Sequence, residues 1–280
     1  MVRIYVQIKK QGAFILKNNA KEKKIIYYTD ELNDDFAGVG ERRKIEIDEH
    51  YPYIRKNIFY KAAKFIVYRV FVTPFAFLFC KAKFGMKIVG KEKYKPFKKD
   101  GSYLYGNHTQ IPGDGFIPNV ITFPQTTHII VNPDNVALKG TQNIMMMLGA
   151  LPTPTTLRGF ASFEKALAEH ISQNRAIVIY PEAHIWPYYT GIRPFPSTSF
   201  RYPAKDKKPV FAFTVTYRCS KRGRPRIVVY VDGPFQSDKE SVREREKELR
   251  EMVYCAMCER ANTSENYAFT EYRKKEEDKQ

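Results

Sequence analysis

From residue 102 onward the chain alternates short β-branched or aromatic runs with stretches of helical spacing. Strand-like runs fall at 102–105 (SYLY), 128–131 (HIIV), 176–180 (AIVIY), 210–217 (VFAFTVTY) and 226–231 (RIVVYV). Between them, 142–148 and 160–173 have helical character, and Phe160, Phe163, Leu167 and Ile171 recur on one helical face. Ser237 to Glu240 reads as a capping box opening a helix to about Arg260. Strand–helix alternation of this kind predicts an α/β domain, placed here at 91–262. Residues 263–280, ending RKKEEDKQ, read as a polar, solvated C-terminal tail. Residues 1–50 read as a small β-rich appendage, with strand composition at 2–9, 24–29 and 44–47. That appendage offers no chemistry, and the chain shows no internal repeat.

Charge singles out the remaining segment. The chain carries 47 Lys and Arg against 30 Asp and Glu, a net +17. Residues 51–100 alone hold 13 basic and 2 acidic side chains. The same block is rich in Phe, Ile, Val and Tyr, which points to an anionic membrane surface rather than to nucleic acid. Its core, 65–80, is interrupted only by Arg69, Thr73 and Pro74. As a helix it would reach about 24 Å, short of a ~30 Å hydrocarbon layer. Pro74 disfavours helical geometry at Thr73 and removes a backbone donor. The expectation is therefore two short helices, roughly 55–72 and 75–84, within a membrane-associating element at 51–90. Phe65, Phe71, Phe75, Phe77 and Phe79 would enter the interface. Lys61, Lys64 and Arg69 would reach the headgroups. The bland alternative is a helical hairpin buried in a soluble core. No run of about 18 uncharged apolar residues exists, which excludes a polytopic membrane protein. The opening MVRIYVQIKKQ is not a secretory leader, and four cysteines make no disulfide scaffold, so an intracellular protein is expected.

Four segments carry residues suited to chemistry. Gly106 to Gly115 (GNHTQIPGDG) follows a strand directly and brings His108 and Asp114 within six positions across a Pro-Gly turn. A carboxylate on one imidazole nitrogen fixes the tautomer and leaves the other nitrogen to accept a proton. No serine or cysteine elbow is present, so the hydroxyl deprotonated would belong to a substrate. A turn histidine or a helix-capping one is the structural alternative. Tyr180-Pro181-Glu182 also follows a strand, with the sole tryptophan, Trp186, four residues on. Glu182 could accept hydrogen bonds from a polyol, or be an ordinary loop carboxylate. Gly149 and Arg158 precede a helix, where a guanidinium and helix amides suit a phosphate. Judged alone, Arg158 is an ordinary surface arginine. Pro209 opens an apolar strand and alone says nothing.

Order and spacing give these four segments more weight together. Over residues 55–235 the chain resembles the glycerolipid acyltransferases, the lysophosphatidic acid (1-acylglycerol-phosphate) acyltransferase family. Asn107, His108 and Asp114 resemble its first motif, Gly149 and Arg158 its second, Tyr180-Pro181-Glu182 its third and Pro209 its fourth. The resemblance implies a mixed sheet flanked by helices, with an N-terminal two-helix membrane element. It implies His108 as general base oriented by Asp114, with Asn107, Gly149, Arg158, Glu182 and Pro209 around the substrate. The reaction implied is transfer of an acyl chain from an acyl-CoA or acyl-carrier-protein thioester to the hydroxyl of a lysophosphatidic acid-like acceptor. The partners implied are an anionic membrane surface, a lysophospholipid acceptor and the thioester donor, on the cytoplasmic face of a membrane, peripheral or monotopic. No bound cofactor is expected.

Three departures stand out. Five residues, not four, separate His108 from Asp114, so either the Pro-Gly turn loops out the extra residue or the pair is broken. Glu182 is followed by Ala-His-Ile-Trp-Pro instead of Gly-Thr-Arg, which leaves Arg193 as the candidate to replace the missing arginine. His184 is additional. These changes keep open a different lysolipid or alcohol acceptor, or a non-catalytic peripheral membrane protein of the same fold. Nucleic-acid binding is disfavoured, because the basic runs around 205–226 lie in no recognised binding signature. Metal is not expected: Cys255 and Cys258 form one C-x2-C on a helix-like run, where small buried residues are the better reading.

Overall fold

In a computed structural model of the chain, residues 23–37, 45–137 and 142–275 are described. The strand expected at 2–9 lies outside them. A seven-stranded sheet forms the centre, built from β2 (Lys87–Val89), β3 (Ser102–Gly106), β4 (Thr127–Val131), β5 (Ala150–Pro152), β6 (Ala176–Ile179), β7 (Val210–Cys219) and β8 (Pro225–Phe235). The spatial order is β2-β8-β7-β3-β6-β4-β5. β7, β3, β6, β4 and β5 run parallel, β8 is antiparallel to β7, and β2 is parallel to β8. The sheet is therefore mixed, in an α/β architecture.

β3 and β6 are fully buried and, apart from Ser102, whose hydroxyl pairs with that of Tyr94, built from apolar and aromatic residues, as suits central parallel strands covered on both faces. Tyr103, Tyr105, Ile177 and Ile179 face one layer with α6 (Leu157–Ser172), α7 (Arg201–Asp206) and α8 (Val242–Ala261). Leu104, Val178, Phe211 and Phe213 face the other, with α3 (Lys91–Tyr94) and α4 (Ile117–Thr122). The short α5 (Gln142–Met147) precedes β5. Ser241, not Ser237, caps α8, its hydroxyl accepting from Glu244 N at 3.1 Å. Ser237 Oγ instead donates to Glu248 on the helix it was expected to open.

The basic, apolar block departs from the two-helix expectation. α1 (Ile58–Ile66), a π turn (Val67–Val72) and α2 (Thr73–Phe84) join into one continuous helix, Ile58–Phe84. The π turn is what admits Pro74. In a regular helix its ring would meet the carbonyl four residues back. Here the ladder shifts by one, and both Thr73 N and Thr73 Oγ1 donate to Tyr68 O. Gly85, at φ +51°, ends the helix in the left-handed conformation. By length and composition this helix could cross a membrane, yet Tyr68, Thr73, Ala76, Cys80 and Phe84 pack onto the domain. Its other side exposes Ile58, Phe59, Phe65, Val70, Phe71 and Leu78.

Both ends of the described chain come back to the domain. β1 (Lys24–Tyr28) pairs in parallel with β9 (Thr270–Lys274). Residues 263–275 are thus no free tail: Asn266 bonds Tyr217 N, Thr190 O and Ala261 O, and Tyr272 stacks on Trp186 at 4.7 Å. No strand forms over 45–48. Ile47 is buried instead and accepts from Thr155 N at 3.0 Å. Cys255 is exposed and Cys258 half-buried, against the expectation that both are buried.

Candidate active site

β3 and β6 are parallel neighbours, so the loops leaving their C-terminal ends start side by side. Asn107 anchors the first loop to β7, donating to Val215 O at 3.0 Å and accepting from Val215 N at 2.7 Å. The pair after it is closed: His108 Nδ1 lies 2.8 Å from Asp114 Oδ2. The turn Gly113–Gly115 takes up the extra residue, with Asp114 N donating to Gln110 O and Gln110 N donating to Asp114 Oδ2. Burial pushes the Asp114 carboxyl up, while the His108 bond opposes that rise. Tyr180 stacks on the imidazole at 4.4 Å and donates to Asp114 O at 2.6 Å. Nε2 of His108 makes no hydrogen bond among the described residues.

Glu182 supports this loop from beneath. Its Oε2 accepts from His108 N and its Oε1 from Arg193 N, both at 3.0 Å. Arg193 is buried beside it, donating to the carbonyls of Glu31, Glu182 and His184. Burial pushes the Glu182 carboxyl up, opposed by the Arg193 charge and these N–H bonds. Both oxygens are therefore committed to the protein, and Glu182 orders backbone rather than a substrate hydroxyl. Arg193, itself buried, spends both Nη groups on carbonyls and does not stand in for a phosphate-facing arginine. Trp186 N and Tyr188 N donate to His108 O and Thr109 O, locking the two loops together.

The remaining sequence candidates separate from this pair. Gly149, at φ +97°, turns the chain against Thr127 O, where a Cβ would sit 2.4 Å away. Arg158 is exposed in the first turn of α6, 3.8 Å from Glu49, and Thr156 Oγ1 already takes Gly159 N there. Pro209 O accepts from Tyr103 N, a sheet bond. Of the helix residues, Phe71 and Phe75 line the cavity at His108. Phe65 and Phe77 are exposed, Phe79 is half-buried against Phe84 and Phe116, and Lys61 is exposed. Arg69 is held in place by Pro124 O and Thr126 Oγ1, and Lys64 is half-buried, so neither is a free, extended side chain.

The cavity measures about 1090 Å³. Its wall is largely apolar, from Phe71, Val72, Phe75, Phe116, Ile130 and Met145, while His108, Gln110 and Asp114 supply a polar floor. His184 stands at one side, 3.9 Å from Asp35. No arginine or lysine lines it among the described residues. Nor do these residues contain a His, Cys, Asp and Glu group of metal-binding size. Sequence reasoning passed over Tyr180 as a ring packed on His108. Its position directly after β6 was the available signal. Arg193 was singled out as a phosphate-facing arginine, but nothing local marked it as the partner of Glu182, eleven residues away. Set against protein-family models, the chain matches none, and no curated protein matches it.

Proposed function

We propose that the chain is a membrane-associated O-acyltransferase of glycerolipid-acyltransferase type. The single observation that carries this reading is the 2.8 Å His108–Asp114 pair at the polar floor of a large apolar cavity. His108 Nε2 takes the proton of an acceptor hydroxyl. The freed oxygen pair attacks the thioester carbonyl carbon, the C–S bond breaks as the ester forms, and the imidazolium returns its proton to the departing thiolate. Asp114 holds Nδ1–H and stabilises the imidazolium. The apolar wall suits an acyl chain, and Phe71 and Phe75 connect it to the exposed aromatic face of Ile58–Phe84. That face suits insertion at a cytoplasmic membrane surface, peripheral or monotopic.

The acceptor on this reading is a lysophosphatidic acid-like lysolipid. A second reading, a different lysolipid or an alcohol without a phosphomonoester, is favoured by one observation: no described cation lines the cavity and Arg158 lies outside it. The test is thiol release from acyl-CoA and acyl-carrier-protein donors in anionic vesicles, against a panel headed by lysophosphatidic acid. Release that needs both an acceptor and His108 is expected, with His108→Ala abolishing it. Near-normal release by His108→Ala would overturn the mechanism. No release from either donor by a vesicle-bound protein would favour the non-catalytic membrane reading.

A further inference from the structure

A second cavity, about 370 Å³, lies at the N-terminal ends of β3, β4 and β6, opposite the end that carries His108. Its walls are the loops entering β3, β4 and β6: Lys98 and Lys99, Pro124 to Thr126, and Gln173 to Arg175. Arg69 of the Ile58–Phe84 helix closes it. Four cations line this space and, among the described residues, no carboxylate does. Glu169, outside the lining, accepts from Gln173 Nε2 at 3.1 Å. Two of the cations are held in place. Arg69 donates to Thr126 Oγ1 at 2.9 Å and to Pro124 O. Arg175 donates to His170 Nδ1 at 2.8 Å, against a ring stacked on His128 at 4.0 Å. Accepting that bond requires a neutral His170, and burial, then the charges of Arg175 and Lys64, pull its pKa down to about 3. The histidines therefore fix Arg175 without neutralising it.

We propose that this cavity binds a phosphate-bearing anion through Arg69, Lys98, Lys99 and Arg175. Two fixed guanidinium forks and two lysine ammonium groups match the charge and several oxygens of a phosphate better than a single carboxylate. The amide groups of Gln173 and Asn174 add polar contacts on the same rim. Ile66 and Val70 flank Arg69 on the exposed side of the helix, so the phosphate of a lipid headgroup reaches the site with its chains in the apolar phase. A soluble phosphate shares the chemistry. The site goes beyond the transferase reading, since it lies away from His108 and its test needs no turnover.

The probes are phosphatidylcholine vesicles containing about one fifth phosphatidylglycerol, and inorganic pyrophosphate followed by its heat of binding. Lys98→Gln/Lys99→Gln is compared with the charge-matched Lys221→Gln/Arg222→Gln in the β7–β8 turn. Lys99, Lys221 and Arg222 are exposed and Lys98 is half-buried, and circular dichroism checks that each variant folds. At about 1 kcal/mol per cation near a surface, two lost cations weaken vesicle binding about thirtyfold. The control pair is expected to change it less than about twofold. Loss of vesicle binding without pyrophosphate heat in the parent protein identifies the headgroup as the ligand. Pyrophosphate heat that the Lys98/Lys99 variant abolishes identifies a soluble phosphate. Equal losses for both double variants, or a Lys98/Lys99 variant that loses neither vesicle binding nor pyrophosphate heat, would overturn the proposal.

Discussion

His108 depends on two acidic residues in different ways. Asp114 meets the ring itself, at 2.8 Å from Nδ1. Asp114→Asn keeps the size but removes the charge that supports an imidazolium. On the transferase reading kcat should fall by about 10²–10⁴-fold with KM little changed. Equal kcat for the two proteins in the thiol-release assay would remove Asp114 from the mechanism. Glu182 meets only the backbone N–H of His108, and spends its other oxygen on Arg193 N. A glutamine has one oxygen for those two donors, so Glu182→Gln should lower both Tm and kcat while leaving the acceptor KM alone. A raised KM at unchanged Tm would restore the polyol-binding role. Arg193→Ala strips the buried carboxylate of its counter-ion, a change that costs about 3–5 kcal/mol in such pairs. Thermal unfolding should register it as the larger destabilisation of the two. The difference also explains what could be read beforehand. His108 and Asp114 share one short turn and are visible as a pattern. Glu182 and Arg193 meet across eleven residues of irregular loop, and no local pattern links them.

Elements were legible in proportion to their apolar content. β3, β6 and β7 announce themselves because central strands are buried on both faces, and β4 and β8 through their β-branched runs, with β8 alternating buried and half-buried positions. β2 and β5 are three residues each, too short to show a period. The Ile58–Phe84 helix departs from the two-helix expectation at Pro74, since the penalty for an interior proline assumes a regular ladder and the π turn supplies an irregular one. Continuity has a consequence. A single helix docked through Tyr68, Ala76, Cys80 and Phe84 presents Phe65 and Leu78 as parts of one rigid face, 64% and 67% exposed. If that face inserts, Phe65→Ser/Leu78→Ser should weaken vesicle binding by about tenfold or more per side chain, at ~1.5–3 kcal/mol each. Circular dichroism should be unchanged, because neither side chain supports the core. High salt should release this variant while leaving a fraction of the parent protein bound, apolar burial being indifferent to screening. Equal retention of both proteins on vesicles would remove the helix from the membrane interface.

At the scale of the whole molecule, the two helical layers on opposite faces of the sheet are tied through a single carboxylate. Asp232 on β8 accepts from Lys93 of α3 at 3.0 Å and from Arg260 of α8 at 2.7 and 2.9 Å. α3 belongs to the layer of the long helix and α8 to the other, so Asp232 is a carboxylate the two layers share. Sequence position says nothing of it: residues 93, 232 and 260 meet only once the β-order is set. Burial pushes the Asp232 carboxyl up, but the Arg260 and Lys93 bonds outweigh it and hold it below the usual carboxylate range. A carboxyl depressed in the folded state adds stability above its unfolded pKa, about 3.9, and loses it as pH falls through the folded value. Asp232→Asn should therefore be less stable than the parent at neutral pH, by about 1–2 kcal/mol given the partly exposed cations. The gap should persist down to about pH 4, then close as acid protonates the parent carboxyl. Urea unfolding of both proteins from neutral to strongly acidic pH measures it directly. A gap that stayed constant to the lowest pH would mean the layers are held by packing, with Asp232 contributing shape and not charge.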